Sequence, residues 1–440
     1  MVAVWARVAA LSFGGPAGQI AVMHRIVVDE KRWVGDRRFL HALNYCMLLP
    51  GPEAHQLAIY LGWLMHGVRG GVVAGVLFVL PGFLAMMALS AVYVAFGPTE
   101  IVTGIFFGLK AAVLAIVLQA LARIARRALG HRTLRVLALA AFVAIFAFRV
   151  PFPLIVLAAG TVGWFAGQAG MPAFRAGGHG DKGGGLSDAE SALGAAHHAH
   201  TRRGNWQAPA VLAALWLVPV ALLLLTLGPE NIFTRLAVFF SQMAVVTFGG
   251  AYAVLAYVAQ EAVQVRHWLT PGEMLDGLGL AETTPGPLIM VVQFVGFLAA
   301  YRNPGGLDPW TAAVLGATLV TWVTFVPSFL WIFLGAPHIE RLRGHAALDG
   351  ALTAITAAVV GVILNLAVWF ALHVVFGRVV TWQGFGLSLE LPVLASLDPA
   401  ALILTLGAVV AAFRLRLGML PLLVGCAALG LLWQQVASAA

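Results

Sequence analysis

The stretch "CMLLPGPEAHQLAIYLG" (Cys46–Gly62) decides how this chain is read. It is apolar enough for a membrane helix, yet Pro50-Gly51-Pro52 interrupts it and Glu53 follows at once. In hydrocarbon, every backbone N–H and C=O must be satisfied internally. Two prolines and a glycine break the helical ladder. Such a break is tolerated where the freed groups face protein or a water-filled cavity. Proline also suits the first turn of a new helix. One half-helix is therefore expected to end near Leu49 and another to start near Pro52. The second presents free N–H groups and a positive dipole end, where an anion is favoured. A simple kink is the alternative.

The break has a twin. "SFGGPAGQIAVM" at Ser12 recurs as "TFGGAYAVLAYV" at Thr247, a shift of 235 positions. The same shift, without a gap, sets Trp33 on Trp268 and Pro50-Gly51-Pro52 on Pro285-Gly286-Pro287. Further on, a shift of 246 sets Pro81 on Pro327 and "AAVLAIV" (Ala111–Val117) on "AAVVGVI" (Ala357–Ile363). Rare elements kept in register mark an internal duplication.

Composition places these copies in a bilayer. The chain has 440 residues, 61% hydrophobic and 10% charged. Soluble domains carry about 25% charged residues. Ile101–Leu121 holds one charge, Lys110, and Ala208–Leu227 holds none. A membrane helix needs roughly 20 apolar residues. The runs lack the in-out alternation of a β-barrel. The fold class expected is an all-α polytopic membrane protein of about 11–13 transmembrane segments. It is built from two homologous repeats, with broken or re-entrant helices at the PGP motifs. The segments read are 2–22, 39–64, 71–96, 101–121, 136–149, 152–170, 208–228, 234–258, 274–300, 310–335, 348–376, 392–412 and 417–436. Residues 1–171 form the first repeat, 172–207 a flexible polar linker, 208–233 a connecting helix and 234–440 the second repeat. If every segment crosses, seven crossings separate the copies and the second repeat is inverted, as in many secondary transporters. The basic stretches 24–38 and 122–135 share the cytoplasmic side only if one segment between them fails to cross.

The net charge of +8 sits in such short stretches, which is a topology signal and not a nucleic-acid footprint. Cys46 and Cys426 suggest neither a disulfide framework nor a metal site. The linker histidines His179, His197, His198 and His200 read as part of a solvated tether, which lacks the preorganised geometry of a metal site. No cleavable signal peptide is expected, and no cofactor.

Ionisable residues within spans are functional hypotheses by default. Lys110 is the fixed positive charge expected in the pathway, the alternative being a pair with a buried carboxylate such as Glu53. Glu53 and Glu282 flank the two PGP motifs and are proton-coupling groups in this reading. The substrate-binding set expected is Phe13, Gly14, Gly15, Pro16, Gln19, Asn44, Pro50, Gly51, Pro52, Gln56 and Lys110. From the second repeat come Phe248, Gly249, Gly250, Thr283, Thr284, Pro285, Gly286 and Pro287. The glycine pairs read equally as helix-packing contacts. His24, Arg25, Arg32 and Trp33 lie in "HRIVVDEKRWVGDRRF" and are expected to steer anions or only to signal topology. The second repeat has Val254, Gln260, Leu288 and Thr356 where the first has Gln19, Arg25, Glu53 and Lys110, so an asymmetric site is expected.

At "FGGPAGQIAVMH", "RWVGDRRFLHALNYCMLLPGPEAHQLAIYLGW", "FGGAYAVLAYV" and "AETTPGPLIMVVQFVGF" the sequence resembles the chromate ion transporter family, in its long-chain two-domain form, over essentially the whole chain. The resemblance implies a protein of the cytoplasmic membrane that exports chromate and confers chromate resistance. It also implies two homologous domains of opposite orientation and use of a membrane gradient. Residue physics alone reaches a repeat-built transporter for a small anion. Partners are then chromate or a sulfate-like oxyanion, protons and the bilayer, with a homodimer left open. A carrier of sulfate or another oxyanion, working by uptake or exchange, is the near alternative. A membrane enzyme finds no H-E-x-x-H and no G-x-S-x-G here.

Overall fold

The structure is a computed structural model that describes residues 1–13, 15–97, 99–174, 190–193, 206–248, 250–335 and 345–439. Sixteen α-helices are present among the described residues. The first repeat holds α1 (Val2–Leu11), α2 (Gly15–His24), α3 (Asp36–Cys46), α4 (Glu53–Phe96), α5 (Glu100–Ala128), α6 (Arg132–Phe148) and α7 (Phe152–Gln168). Helix α8 (Gln207–Leu227) connects. The second repeat holds α9 (Ile232–Val246), α10 (Ala251–Ala259), α11 (Pro271–Thr283), α12 (Val291–Arg302), α13 (Pro309–Gly335), α14 (Ala346–Val375), α15 (Pro399–Phe413) and α16 (Met419–Ala439). Among the described residues, six helices are long and apolar enough to cross a membrane, and five shorter apolar helices accompany them. The protein is a multi-pass membrane protein.

The duplication is visible in the backbone. Both copies carry a π-helical turn at the same place, Arg25–Glu30 and Gln260–Val265. Left-handed residues also pair at a shift of 235: Gly15 with Gly250, Arg32 with His267, Gly51 with Gly286. The change of shift from 235 to 246 has a local cause. Helix α4 folds back on itself at His66 and Gly67, whose φ of 63° reverses the chain. The second copy makes the same reversal with a longer loop between α12 and α13. Glycine lets both helical hairpins close tightly: Gly62 meets Gly70 and Ala74, and Gly296 meets Gly316 and Val320.

The chain divides into two compact units, which do not follow the halves of the repeat. The first takes Met1–Ser90, Gly177–Ala251 and Thr284–His345; the second takes Ala91–Ala176, Tyr252–Thr283 and Ala346–Ala440. The first unit is built around Trp5, Met23, Phe39, Tyr45, Leu57, Phe78 and Ile332, all essentially inaccessible. In the second unit, α7 packs on α14 through Gly163 and Gly350, and α5 packs on α16 through Gly108 and Gly430. Such small-residue contacts let backbones approach where water supplies no drive for association.

Three expectations are corrected. The single segments 2–22 and 234–258 are each two helices, broken at the FGG motifs. The basic stretch 122–135 is largely helical. Arg126 and Arg127 lie in the last turn of α5, where cations complement the helix dipole. A β-hairpin, β1 (Val379–Gly384) with β2 (Leu387–Pro392), adds to the helical fold and delays the expected 392–412 segment to Pro399. Its turn residues Phe385 and Gly386 both have positive φ (52° and 77°), as a tight two-residue hairpin requires. Among the described residues of 172–207, Ala192 N–H donates to the Arg32 carbonyl (2.8 Å) and Leu193 packs on the first unit's core. His179, His197, His198 and His200 lie outside the described residues.

Candidate functional site

In the first unit the two broken segments are tied to each other. The chain leaves α1 at Ser12 and α9 at Thr247, residues in matching positions. Each hydroxyl bonds back to the carbonyl four residues earlier, Ser12 Oγ to Val8 and Thr247 Oγ1 to Met243. That leaves each residue's own carbonyl pointing out of the helix end without an intrahelical donor. The PGP glycine of the other repeat supplies one. Gly51 N–H donates to the Thr247 carbonyl and Gly286 N–H donates to the Ser12 carbonyl, both at 2.9 Å. The contact is reciprocal: exchanging the repeats maps one bond onto the other. Gly51 (φ 120°) and Gly286 (φ 99°) reach these partners in conformations that L side chains rarely adopt.

These bonds narrow the anion reading. The amides of Gly51 and Gly286 are committed to protein carbonyls. The half-helix before Gly51 ends at Cys46 and the next starts at Glu53, close to the expected positions. After Pro52 the helical ladder opens with Gln56 N–H donating to the Pro52 carbonyl (3.0 Å), and a helix start leaves the N–H groups before it without an intrahelical acceptor. After Pro287 a short 3-10 helix, Leu288–Met290, comes first, and Met290 N–H donates to the Pro287 carbonyl (2.9 Å). Gln19 is buried, and its Nε2 donates to the Gly286 carbonyl (2.6 Å), so it braces the crossing. Gln56 Nε2 donates to the Pro50 carbonyl (2.7 Å), while its buried Oε1 has no partner. Neither brace has a glutamine at the matching place in the other repeat, which carries Val254 and Val291.

The remaining first-unit residues are spread around this crossing. Gly15, Pro52, Thr284 and Pro287 are buried; Phe13, Pro16, Pro50, Phe248, Gly250 and Pro285 are half-buried. Asn44 is exposed on α3. Gly14 and Gly249 lie outside the described residues. Glu53 makes neither a hydrogen bond nor an ion pair among the described residues. Its Oε1 lies 3.6 Å from where a Cβ would stand on Gly250, which sets the first repeat's carboxylate beside the second repeat's glycine motif.

The second unit holds a charged cluster of its own. Lys110, on α5, pairs with Asp276 on α11: Nζ to Oδ1 is 3.2 Å. Tyr93 donates to the other oxygen, Oδ2, at 2.9 Å. The partner of Lys110 is therefore Asp276 and not Glu53. Glu282, further along α11, accepts from Tyr252 (3.2 Å) through Oε1, and its buried Oε2 has no hydrogen-bond partner among the described residues. Thr283 bonds back to the Leu280 carbonyl.

The residues expected to steer are mostly engaged. His24 Nε2 lies 2.6 Å from Asp36 Oδ1, and Arg25 lies 3.7 Å from Glu30, which also holds Arg7. Trp33 packs on the apolar core, and Arg32 is exposed.

Asp276, Tyr93, Tyr252 and Ser328 escaped the sequence reading. Asp276 obeys the same rule that selected Glu282, an ionisable residue in an apolar segment. Ser328 follows Pro327 on α13 and sits close beside Gly51. Nothing local marks a tyrosine as a carboxylate's donor.

The Chromate transporter family model matches residues 1–164 and 234–431, one stretch in each repeat. A chromate transport protein of Pseudomonas aeruginosa is 36% identical over 365 residues, covering 80% of this chain and 76% of its own. A chromate transport protein of Cupriavidus metallidurans is 29% identical over 374 residues, covering 84% and 82%. A probable chromate transport protein of Synechococcus elongatus is 26% identical over 362 residues, covering 82% and 81%. No solved structure matches the chain.

Proposed function

This chain belongs to the chromate transporter family, and on that premise we propose that it is a secondary carrier that exports chromate across the cytoplasmic membrane and so gives chromate resistance. The observation that carries the mechanism is the reciprocal pair of broken segments. Irregular backbone in matched places of two repeats is how many secondary transporters build a substrate site from helix ends and polar groups. We propose that the repeats are inverted, α8 supplying the extra crossing between them.

Two sets of residues, each within one unit, have the chemistry for a tetrahedral dianion. In the first unit these are the first-turn N–H groups that follow Pro52, together with those of Leu288 and Ile289 after Pro287, framed by the glycine motifs. In the second unit it is the Lys110 ammonium. Glu53 and Glu282 are the groups proposed to take up a proton, because each presents a carboxylate oxygen without a hydrogen-bond partner among the described residues. The sequence carries no Walker motif for ATP, which favours a gradient as the driving force.

Chromate and sulfate are both tetrahedral dianions, and none of these groups reads the central atom. Flux of each into and out of proteoliposomes, with a pH gradient imposed in either direction, tests the proposal. Chromate flux that follows the gradient is the expected result. Gradient-driven sulfate flux without chromate flux would make this a sulfate carrier. Flux of neither oxyanion would overturn the reading.

A further inference from the structure

The pairing of Lys110 raises a question that the transport reading leaves open. An ammonium meant for a dianion is already satisfied by a carboxylate of its own chain. The two partners are not equally sealed. The Lys110 side chain keeps 27% of its surface exposed, whereas that of Asp276 keeps 9%. Asp276 is also anchored from behind, because Tyr93 bonds Oδ2 and leaves only Oδ1 for the lysine. The neighbouring Glu273 is occupied at the start of α11. Its Oε2 accepts from Thr270 N–H, and Thr270 Oγ1 accepts from Glu273 N–H, a capping box. Residue 272 in that turn is glycine, and a Cβ there would stand 3.7 Å from the Lys110 Nζ and 4.0 Å from Thr270 Oγ1. The cation is thus partly open, whereas its fixed counter-ion is nearly sealed and held through both oxygens.

We propose that Asp276 is a tethered counter-anion: it occupies Lys110 while the carrier is empty, and the transported oxyanion displaces it. The proposal rests on the reading that Lys110 binds the oxyanion. Its physical basis is competition. A lysine without a partner in a low-dielectric site is costly, so the empty state needs a counter-ion. A carboxylate on the protein supplies one, and every oxyanion that binds must first outcompete it. The carboxylate therefore weakens binding and aids release, as a carrier that must let its cargo go requires. Asp276 is a positioning residue here; it does not touch the cargo.

The sign of the expected effect separates this role from a structural one. Asp276→Asn removes the competitor, so KM for chromate and for sulfate falls, by at least about fivefold, the low end of ordinary coupling between sites. Its turnover falls too, because release slows. Asp276→Glu keeps the charge and restores KM toward wild type. A purely structural aspartate would give a higher or unchanged KM on removal. The measurements are initial rates in proteoliposomes, together with thermal unfolding of the purified full chain in sulfate and in chloride of equal ionic strength. Sulfate is expected to raise the unfolding midpoint of Asp276→Asn more than that of wild type, and not to raise that of a Lys110→Gln, Asp276→Asn double variant. An unchanged or raised KM in Asp276→Asn overturns the inference and leaves the transport reading standing. Failure of Asp276→Asn to fold even in sulfate also overturns it, since the oxyanion then cannot replace the carboxylate. Absence of oxyanion flux in wild type would overturn the transport reading instead.

Discussion

Replacing Gly51 by alanine tests the reciprocal crossing directly. The φ of 120° at Gly51 is a conformation that costs an L residue of order 1–3 kcal/mol. The new Cβ would stand 2.9 Å from Gln56 Nε2 and 3.2 Å from Ser328 Oγ. The nearer contact is the amide that holds the Pro50 carbonyl, so relief of the clash breaks a 2.7 Å hydrogen bond. A carbonyl left unpaired out of water costs about 1–3 kcal/mol, and the half-buried Pro50 carbonyl falls toward the low end. The total expected loss is about 2–6 kcal/mol, before any shift of Gly51 N–H away from Thr247. Gly286→Ala meets backbone instead, with the Gly82 Cα at 3.3 Å and N at 3.4 Å, and backbone cannot rotate aside. It is expected to lose at least as much. Gly407→Ala, in α15 with nothing within 4 Å, is the control and is expected to be within about 0.5 kcal/mol of wild type. Equilibrium unfolding in a denaturing detergent series reads all three. A loss under about 1 kcal/mol in both Gly51→Ala and Gly286→Ala would refute the view that these glycines lock the repeats together.

Three further outcomes are expected. Lys110→Ala should abolish oxyanion flux in reconstituted protein while leaving membrane insertion intact; flux at the wild-type rate would remove Lys110 from the pathway. Gln19→Ala should leave the Gly286 carbonyl short of a donor and cost about 1–3 kcal/mol of stability, read in the same unfolding series; a neutral result would mean that Gln19 does not brace the crossing. Glu53→Leu copies the second repeat, where Leu288 stands, and should fold within about 1 kcal/mol of wild type because it breaks no hydrogen bond or ion pair among the described residues. Glu53→Gln and Glu53→Leu should both lose dependence on the proton gradient more than they lose substrate affinity, and unchanged gradient dependence in a pH-jump flux assay would exclude Glu53 from coupling.

Much of the fold is legible because bilayer physics writes itself into local sequence. Apolar runs of fixed length give the spans, and Pro-Gly-Pro or Gly-Gly inside such runs gives the breaks. What stays hidden locally is illustrated by two misses. The π-helical turns at Arg25–Glu30 and Gln260–Val265 carry no residue signature that sets them apart from an α-helical turn. The hairpin at 379–392 was masked by its setting in a chain of helices, although Gly384-Phe385-Gly386 marks its turn.

For the site, the sequence by itself determined which residues are unusual: the duplicated PGP and FGG motifs, Lys110, Glu53 and Glu282. It determined this because proline, paired glycine and charge are each costly in hydrocarbon and can be recognised one residue at a time. What those residues do to one another emerges only once the chain is folded. The fold gave the Gly51 and Gly286 amides to the carbonyls of Thr247 and Ser12, it gave Gln19 to Gly286, and it gave Lys110 to Asp276. These pairings join residues more than 160 positions apart, and a hydrogen bond or an ion pair is fixed by distance and direction in space, which no spacing along the chain encodes.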